Sequence, residues 1–314
     1  MKDRITSGKL TPICIWPDDE RILSEAVSNA GGRVTPIEEA EVLVSFIEDV
    51  DAIRRALHPG IRWVQLGWAG VDKWVHAGVI DRERVWTSCR GAYGPPIAEH
   101  TLAFILAAAR NLPQRIRARK WGPAVWGESG GRCLSGGTVG IIGCGGIGQG
   151  LIQLLQPFRA TTICLTLSGR IVPGATVSVG RDGLDYLLRE SDYVVVAAPH
   201  TPSTAKLISR EQLALMRKTA WLINVSRGAI VDTGALVDAL DMGTIGGAAL
   251  DVVEPEPLPD DHPLWRFANV VVTPHTACSR SLSLELFAER LGENLRRFRM
   301  REELLGLIDL DKGY

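Results

Sequence analysis

Three segments in the second half of the chain each place a charged or titratable residue just past a β-prone apolar run. They are NVSRGAIVD (224–232) with Arg227, ALDVVEPEPL (249–258) with Glu254 and Glu256, and VVTPHTA (271–277) with His275. The planar guanidinium of Arg227 can hold a carboxylate through two N–H bonds and still polarise a neighbouring carbonyl, which a lysine cannot copy. His275 is braced by Pro274, and an imidazole can pass a proton to a carbonyl oxygen or take one from an alcohol. A carboxylate paired with that ring favours the imidazolium, and spacing alone leaves Glu254 and Glu256 equal candidates. The trio therefore suits reversible proton transfer on an acid substrate. The plainer readings are an Arg227–Asp232 ion pair and a histidine that only packs.

Upstream, VGIIGCGGIG (139–148) contains Gly143-x-Gly145-x-x-Gly148 directly after an apolar run and at the start of a helical one. In that setting the first glycine makes a tight turn, the second lets a pyrophosphate approach and the third allows close helix packing. An acidic residue about 20 positions on would bond the ribose 2′-hydroxyl of NAD. Here ICLTLSGR (163–170) offers Thr166, Ser168 and Arg170 instead, with Arg181 a weaker addition, and hydroxyls plus arginine suit a 2′-phosphate. NADP(H) is accordingly favoured over NAD(H).

The elements that must position these residues alternate along the chain. Residues 12–16, 42–46, 62–66 and 85–87 read as strands with helical stretches between them, which predicts a small α/β domain with a parallel sheet. A buried helix is expected over 97–111, where IAEHTLAFILAAARN is apolar nearly all round. The glycine-rich stretch 121–137 suits a linker or hairpin. Six further strands are predicted at 138–142, 162–165, 193–197, 221–225, 247–250 and 270–272, several of them continuous apolar runs as in a sheet covered on both faces. Residues 281–300 form an amphipathic helix expected to return to the first domain. The expected division is 1–100 plus 281–314 for substrate and 101–280 for NAD(P).

Composition narrows the function classes. The 314 residues carry a formal net charge of −1, so no global field favours nucleic acid or a membrane. The longest apolar run, Leu102 to Ala109, is far short of the ~20 residues of a membrane span, and the amino-terminal residues lack a signal-peptide core. Six scattered cysteines without a C-x-x-C pair argue against disulfides and structural metal, and fit a reducing cytoplasm. His58, His76, His100 and His262 lack metal-ligand company and read as structural. RIRARK (115–120) reads as a solvated face or an interface.

On these residues the chain resembles the D-isomer-specific 2-hydroxyacid dehydrogenase family, most nearly its glyoxylate and hydroxypyruvate reductases. The resemblance implies two Rossmann-like or flavodoxin-like domains with parallel sheets and an active site in the interdomain cleft. It implies Arg227, Glu256 and His275 as the catalytic set and so selects Glu256 over Glu254. The loop IRWVQLGWAGVD (61–72) matches the family's substrate loop, implying Trp68 and the backbone of Ala69 and Gly70 beside the substrate carboxylate. It further implies Gly146, Ile147, Pro199, Thr204 and Val225 along the cofactor, and Asp251 at the nicotinamide carboxamide. The implied activity is reduction of a small 2-oxo acid by a cytoplasmic homodimer. A corepressor-like protein that senses the dinucleotide without turnover is the alternative, against which the intact catalytic set argues. His200 and Cys278 depart from the family pattern, as does the missing ribose carboxylate.

Overall fold

The computed structural model describes residues 10–16, 20–119, 121 and 131–313. The amino-terminal residues 1–9 and most of the 121–137 stretch, Trp126 included, lie outside these. The chain divides into two compact units, one running to Tyr93 and resuming at Ser279, the other spanning Gly94–Cys278. Each is built on its own parallel sheet.

In the first unit the strands are β1 (Thr11–Trp16), β2 (Gly32–Val34), β3 (Val42–Ser45), β4 (Trp63–Leu66) and β5 (Val85–Thr87). They lie in the order β2-β1-β3-β4-β5, all parallel. Helices α1 (Arg21–Asn29), α2 (Val50–Ala56) and α3 (Asp72–His76) supply the crossovers. Asp49 caps α2 by accepting from the Asp51 and Ala52 amides, satisfying donors that a helix start leaves open. Leu43, Ile53, Val64, Leu66 and Trp86 form the core.

The second unit begins with α4 (Gly94–Ala109) and α5 (Leu112–Ala118). Its strands are β6 (Thr138–Ile142), β7 (Thr161–Leu165), β8 (Val177–Val179), β9 (Tyr193–Val196), β10 (Trp221–Asn224), β11 (Gly247–Leu250) and β12 (Val270–Val272). The sheet order is β12-β11-β10-β9-β6-β7-β8. Strand order reverses between β6 and β9, which opens a crevice at the carboxyl end of β6 where ligands of such sheets bind. Alternate residues serve opposite faces. Ile142, Val194, Val196 and Leu222 pack on one side, with Ile141, Val195, Ile223 and Ala249 on the other. Burial on both faces is why these strands read as unbroken apolar runs. Helices α6 (Gly146–Leu155), α7 (Leu184–Glu190), α8 (Arg210–Leu215) and α9 (Thr233–Asp241) complete the unit.

The last helix, α10 (Arg280–Met300), belongs to the first unit. Phe287 meets the Phe46 ring edge-on at 4.6 Å, and Phe298 lies 5.3 Å from Trp63. Two strands exceed those expected from sequence. β2 and β8 have three residues each and partly exposed burial patterns, so they carry no apolar period to detect. The second sheet accordingly has seven strands rather than six.

Candidate active site

The order β12-β11-β10 sets three carboxyl-terminal loops side by side. Arg227 lies three residues past the end of β10, Glu256 six past β11 and His275 three past β12. Glycine makes the approach of the first two loops feasible. At Gly228 an added Cβ would overlap the Val253 carbonyl, so the segment after Arg227 lies directly on the backbone leading to Glu256. Gly228→Ala is therefore expected to destabilise the fold by about 1–3 kcal/mol, the usual cost of overpacking. Gly234→Ala, whose Cβ would meet only Asp232 Oδ1 at 3.5 Å in the first turn of α9, should be neutral or stabilising. Thermal unfolding of the two variants checks the difference.

Asn224, 1% exposed at the end of β10, holds the arginine loop from within. Its Nδ2 donates to the Arg227 carbonyl at 2.9 Å and its Oδ1 accepts from the Ser226 amide at 3.2 Å. The Arg227 guanidinium is half-buried and donates to the Ser226 carbonyl at 2.8 Å. Asp232 caps α9 and pairs with Lys206 at 3.2 Å. The Ala235 amide and then the Lys206 ammonium hold its carboxyl below the usual carboxylate range.

His275 Nδ1 lies 2.6 Å from Glu256 Oε1. An ionised carboxylate only accepts, so the bond assigns the hydrogen to Nδ1 and leaves Nε2 as the ring nitrogen that faces other groups. Both side chains are about half exposed, and Glu254 has no bond to the ring. His275 itself has φ +53°, a left-handed conformation that costs a non-glycine residue about 1–3 kcal/mol and persists only where its surroundings enforce it.

Those surroundings centre on Asp251, 2% exposed just past β11. The His275 amide donates to the Asp251 carbonyl at 2.9 Å. The Asp251 carboxylate accepts from Thr273 Oγ1 at 2.5 Å, from the Thr276 amide at 2.8 Å and from the Ala277 amide at 3.1 Å. Thr273 and His100, which contacts it from α4, are site residues that sequence reasoning missed. Their only linear signal is the T of T-P-H and a histidine between Glu99 and Thr101 on a mostly apolar helix.

The glycine loop fits a dinucleotide. Gly143 has φ +95°, and a Cβ there would lie 2.6 Å from Ala198 Cα, so the turn tolerates only glycine. Around Gly145 an added Cβ would meet nothing within 4 Å, which leaves room for a phosphate. As the N-cap of α6, Gly145 supplies no side-chain acceptor, so the first-turn amides that include Gly146 and Ile147 remain available to an anion. Gly148 packs against the Gly143 carbonyl. Between these glycines, Cys144 is buried with its thiol directed at the Ile141 carbonyl at 3.8 Å, and the neighbouring Cys164 thiol and burial push it above its usual range. It is no nucleophile.

Past β7, Thr166 Oγ1 is a buried hydroxyl without a partner among the described residues. Gly169, at φ +65°, turns the chain between exposed Ser168 and Arg170. Arg170 Nη2 reaches the Cys144 carbonyl at 3.2 Å, which sets this guanidinium beside the glycine loop. In the loop after β9, Pro199 is exposed, whereas the Thr204 hydroxyl donates to the Pro199 carbonyl at 2.7 Å and accepts from the Thr201 amide at 2.8 Å. Val225 is buried, its amide bonded to the Val196 carbonyl at 3.3 Å. In the first unit, Trp68, Ala69 and Gly70 follow β4, and Trp68 is half-exposed and stacks 6.4 Å from Trp74. Neither the Ala69 nor the Gly70 amide has a backbone acceptor among the described residues.

Other histidines take structural bonds. His58 Nε2 contacts the Ile37 carbonyl, His76 Nδ1 the Asp72 carbonyl, and His262 caps the 3₁₀ turn Pro263–Trp265. Among the described residues no group of three metal-ligating side chains occurs, and no helix is long and apolar enough to cross a membrane.

Residues 102–277 match the family described as D-isomer specific 2-hydroxyacid dehydrogenase, NAD binding domain. The chain belongs to the D-isomer-specific 2-hydroxyacid dehydrogenase family. It is 37% identical over 292 residues to an uncharacterized protein in the proB 3′ region of Corynebacterium melassecola, covering 92% of this chain and 95% of that one. To a glyoxylate reductase of Thermofilum pendens it is 34% identical over 270 residues, 82% of this chain and 78% of that one. A D-isomer specific 2-hydroxyacid dehydrogenase from Xanthobacter autotrophicus, solved with NADPH and MES, superposes with a TM-score of 0.86 at 28% identity, covering 97% and 100%. As a 2-hydroxyacid dehydrogenase the chain is an NAD(P)-dependent oxidoreductase.

Proposed function

We propose that this dehydrogenase reduces a small 2-oxo acid, of the glyoxylate or hydroxypyruvate class, to the D-2-hydroxy acid with NADPH. The observation that carries the reading is the 2.6 Å pair between His275 Nδ1 and Glu256 Oε1, on the loops after β12 and β11, the second of which adjoins the loop after β10 that bears Arg227. Bound at the glycine loop, the reduced nicotinamide supplies the hydride. Arg227 holds the substrate carboxylate bidentately and draws electron density from the neighbouring carbonyl. His275 gives the Nε2 proton to the carbonyl oxygen as it gains charge, and Glu256 keeps the ring oriented and offsets its charge. In the first unit, the Ala69 and Gly70 amides are proposed as further donors to a carboxylate.

The preference for NADPH rests on Thr166, Ser168 and Arg170 where NAD-binding chains carry an acid, and on the NADPH in the Xanthobacter structure. A steady-state screen of glyoxylate, hydroxypyruvate, pyruvate and phenylpyruvate with each cofactor tests the reading. NADPH should give the higher kcat/KM, and Arg170→Ala should lose about 10- to 100-fold with NADPH, the weight of one charge-assisted bond of roughly 1.5–3 kcal/mol, and little with NADH. No turnover with any of the four acids, or a preference for NADH in the unaltered enzyme, contradicts it.

A further inference from the structure

We propose that His100 is a positioning residue for His275, acting through Thr273 and Asp251. The proposal rests on the reading of His275 as the proton donor. Helix α4 is largely buried against the sheet, yet His100 is a polar group on it, with its ring edge-on to Phe104 at 4.4 Å. Its Nε2 lies 3.2 Å from Thr273 Oγ1 and 3.8 Å from Asp251 Oδ1.

Proton bookkeeping sets the direction of this chain. Thr273 has one hydroxyl hydrogen, and it goes to the Asp251 carboxylate at 2.5 Å. The threonine oxygen must then accept from His100, so Nε2 carries a hydrogen. That hydrogen locks the hydroxyl rotor toward Asp251. Asp251 in turn fastens the Thr276 and Ala277 amides with its side chain and the His275 amide with its carbonyl. His275 thus sits in the middle of a five-residue loop tied down on both sides, at the φ of +53° that such ties must enforce.

Removing the Nε2 hydrogen leaves the Thr273 oxygen without its donor and the buried carboxylate without the one basic side chain that approaches it within 4 Å among the described residues. The hydroxyl is then free to turn, and the loop can relax from its left-handed geometry. Displacing the acid by about an ångström is enough to cost up to 10²-fold in rate. His100 touches none of the reacting atoms in this account, so its effect should fall on kcat through His275.

The test compares His100→Leu with His100→Gln, and Thr273→Val with Thr273→Ser, using glyoxylate, NADPH and His275→Ala as the reference. A glutamine amide nitrogen occupies much the same place as Nε2 and restores the donor. We expect His100→Leu and Thr273→Val each to lower kcat by about 10- to 50-fold, within the range for misplaced catalytic groups, with the NADPH Kd nearly unchanged. Glutamine and serine should recover most of the loss. The Leu/Val double variant should be no worse than the poorer single one, because both break the same chain. A packing role alone would give no rescue by glutamine and additive losses, and either result overturns the proposal. If His100→Leu does not fold, the threonine pair decides by the same rescue criterion. Wild-type kcat in His100→Leu beside an inactive His275→Ala overturns this inference alone. Wild-type kcat in His275→Ala overturns the proton-donor reading beneath it.

Discussion

His275→Ala is expected to lower kcat on a 2-oxo acid by about 10²- to 10⁴-fold, the usual contribution of a positioned general acid. An imidazole can both donate and regain a proton, and the Glu256 bond at 2.6 Å engages Nδ1, which leaves Nε2 for the substrate. NADPH affinity should survive, because the glycine loop after β6 and Arg170 lie on other segments of the unit. Steady-state kinetics with a fluorescence titration of NADPH separates the two quantities. Glu256→Gln should lose less. The amide can still accept at its oxygen, but it cannot offset the charge of the protonated ring.

Arg227→Lys should lower kcat/KM by roughly 10²-fold although the charge is kept. Two parallel bonds to a carboxylate, each worth about 1.5–3 kcal/mol, are reduced to one from a shorter, rotating ammonium. The loop cannot follow the shorter side chain. Asn224 pins the Arg227 carbonyl, and Gly228 already lies against Val253. A substrate without the carboxylate gives the discriminating control. Methyl pyruvate should be a poor substrate for both proteins and nearly indifferent to the substitution, whereas pyruvate should show the full loss. Equal losses on the two substrates would mean that Arg227 acts through the fold rather than through the acid.

Much of the architecture was legible because both faces of the second sheet are buried. Residues such as Val194, Val195 and Val196 must all be apolar when alternate ones face opposite cores, so each strand appears as a short unbroken run. Three-residue β2 and β8 escape that logic. They lie at sheet edges and are partly exposed, with a polar residue at the centre of each. The glycine loop was legible for a steric reason, since only glycine satisfies the turn at Gly143 and leaves the space around Gly145. The choice between Glu254 and Glu256 was not, because two carboxylates two residues apart look alike until the loop's path is known. His100 was the least legible. Its partner Thr273 is 173 positions away, and no local pattern marks a histidine whose role depends on a threonine brought beside it by the fold. The strain at His275 and the closeness of Gly228 to Val253 are likewise products of packing.

The central claim is that the chain reduces a 2-oxo acid with the D configuration at the new alcohol, and assigning the product tests it most directly. The purified protein would be incubated with NADPH and hydroxypyruvate, NADPH consumption followed by absorbance, and the glycerate formed resolved on a chiral column. The account predicts one D-glycerate formed for each NADPH oxidised. NADPH that binds but is not consumed, or glycerate of the L configuration, would contradict it.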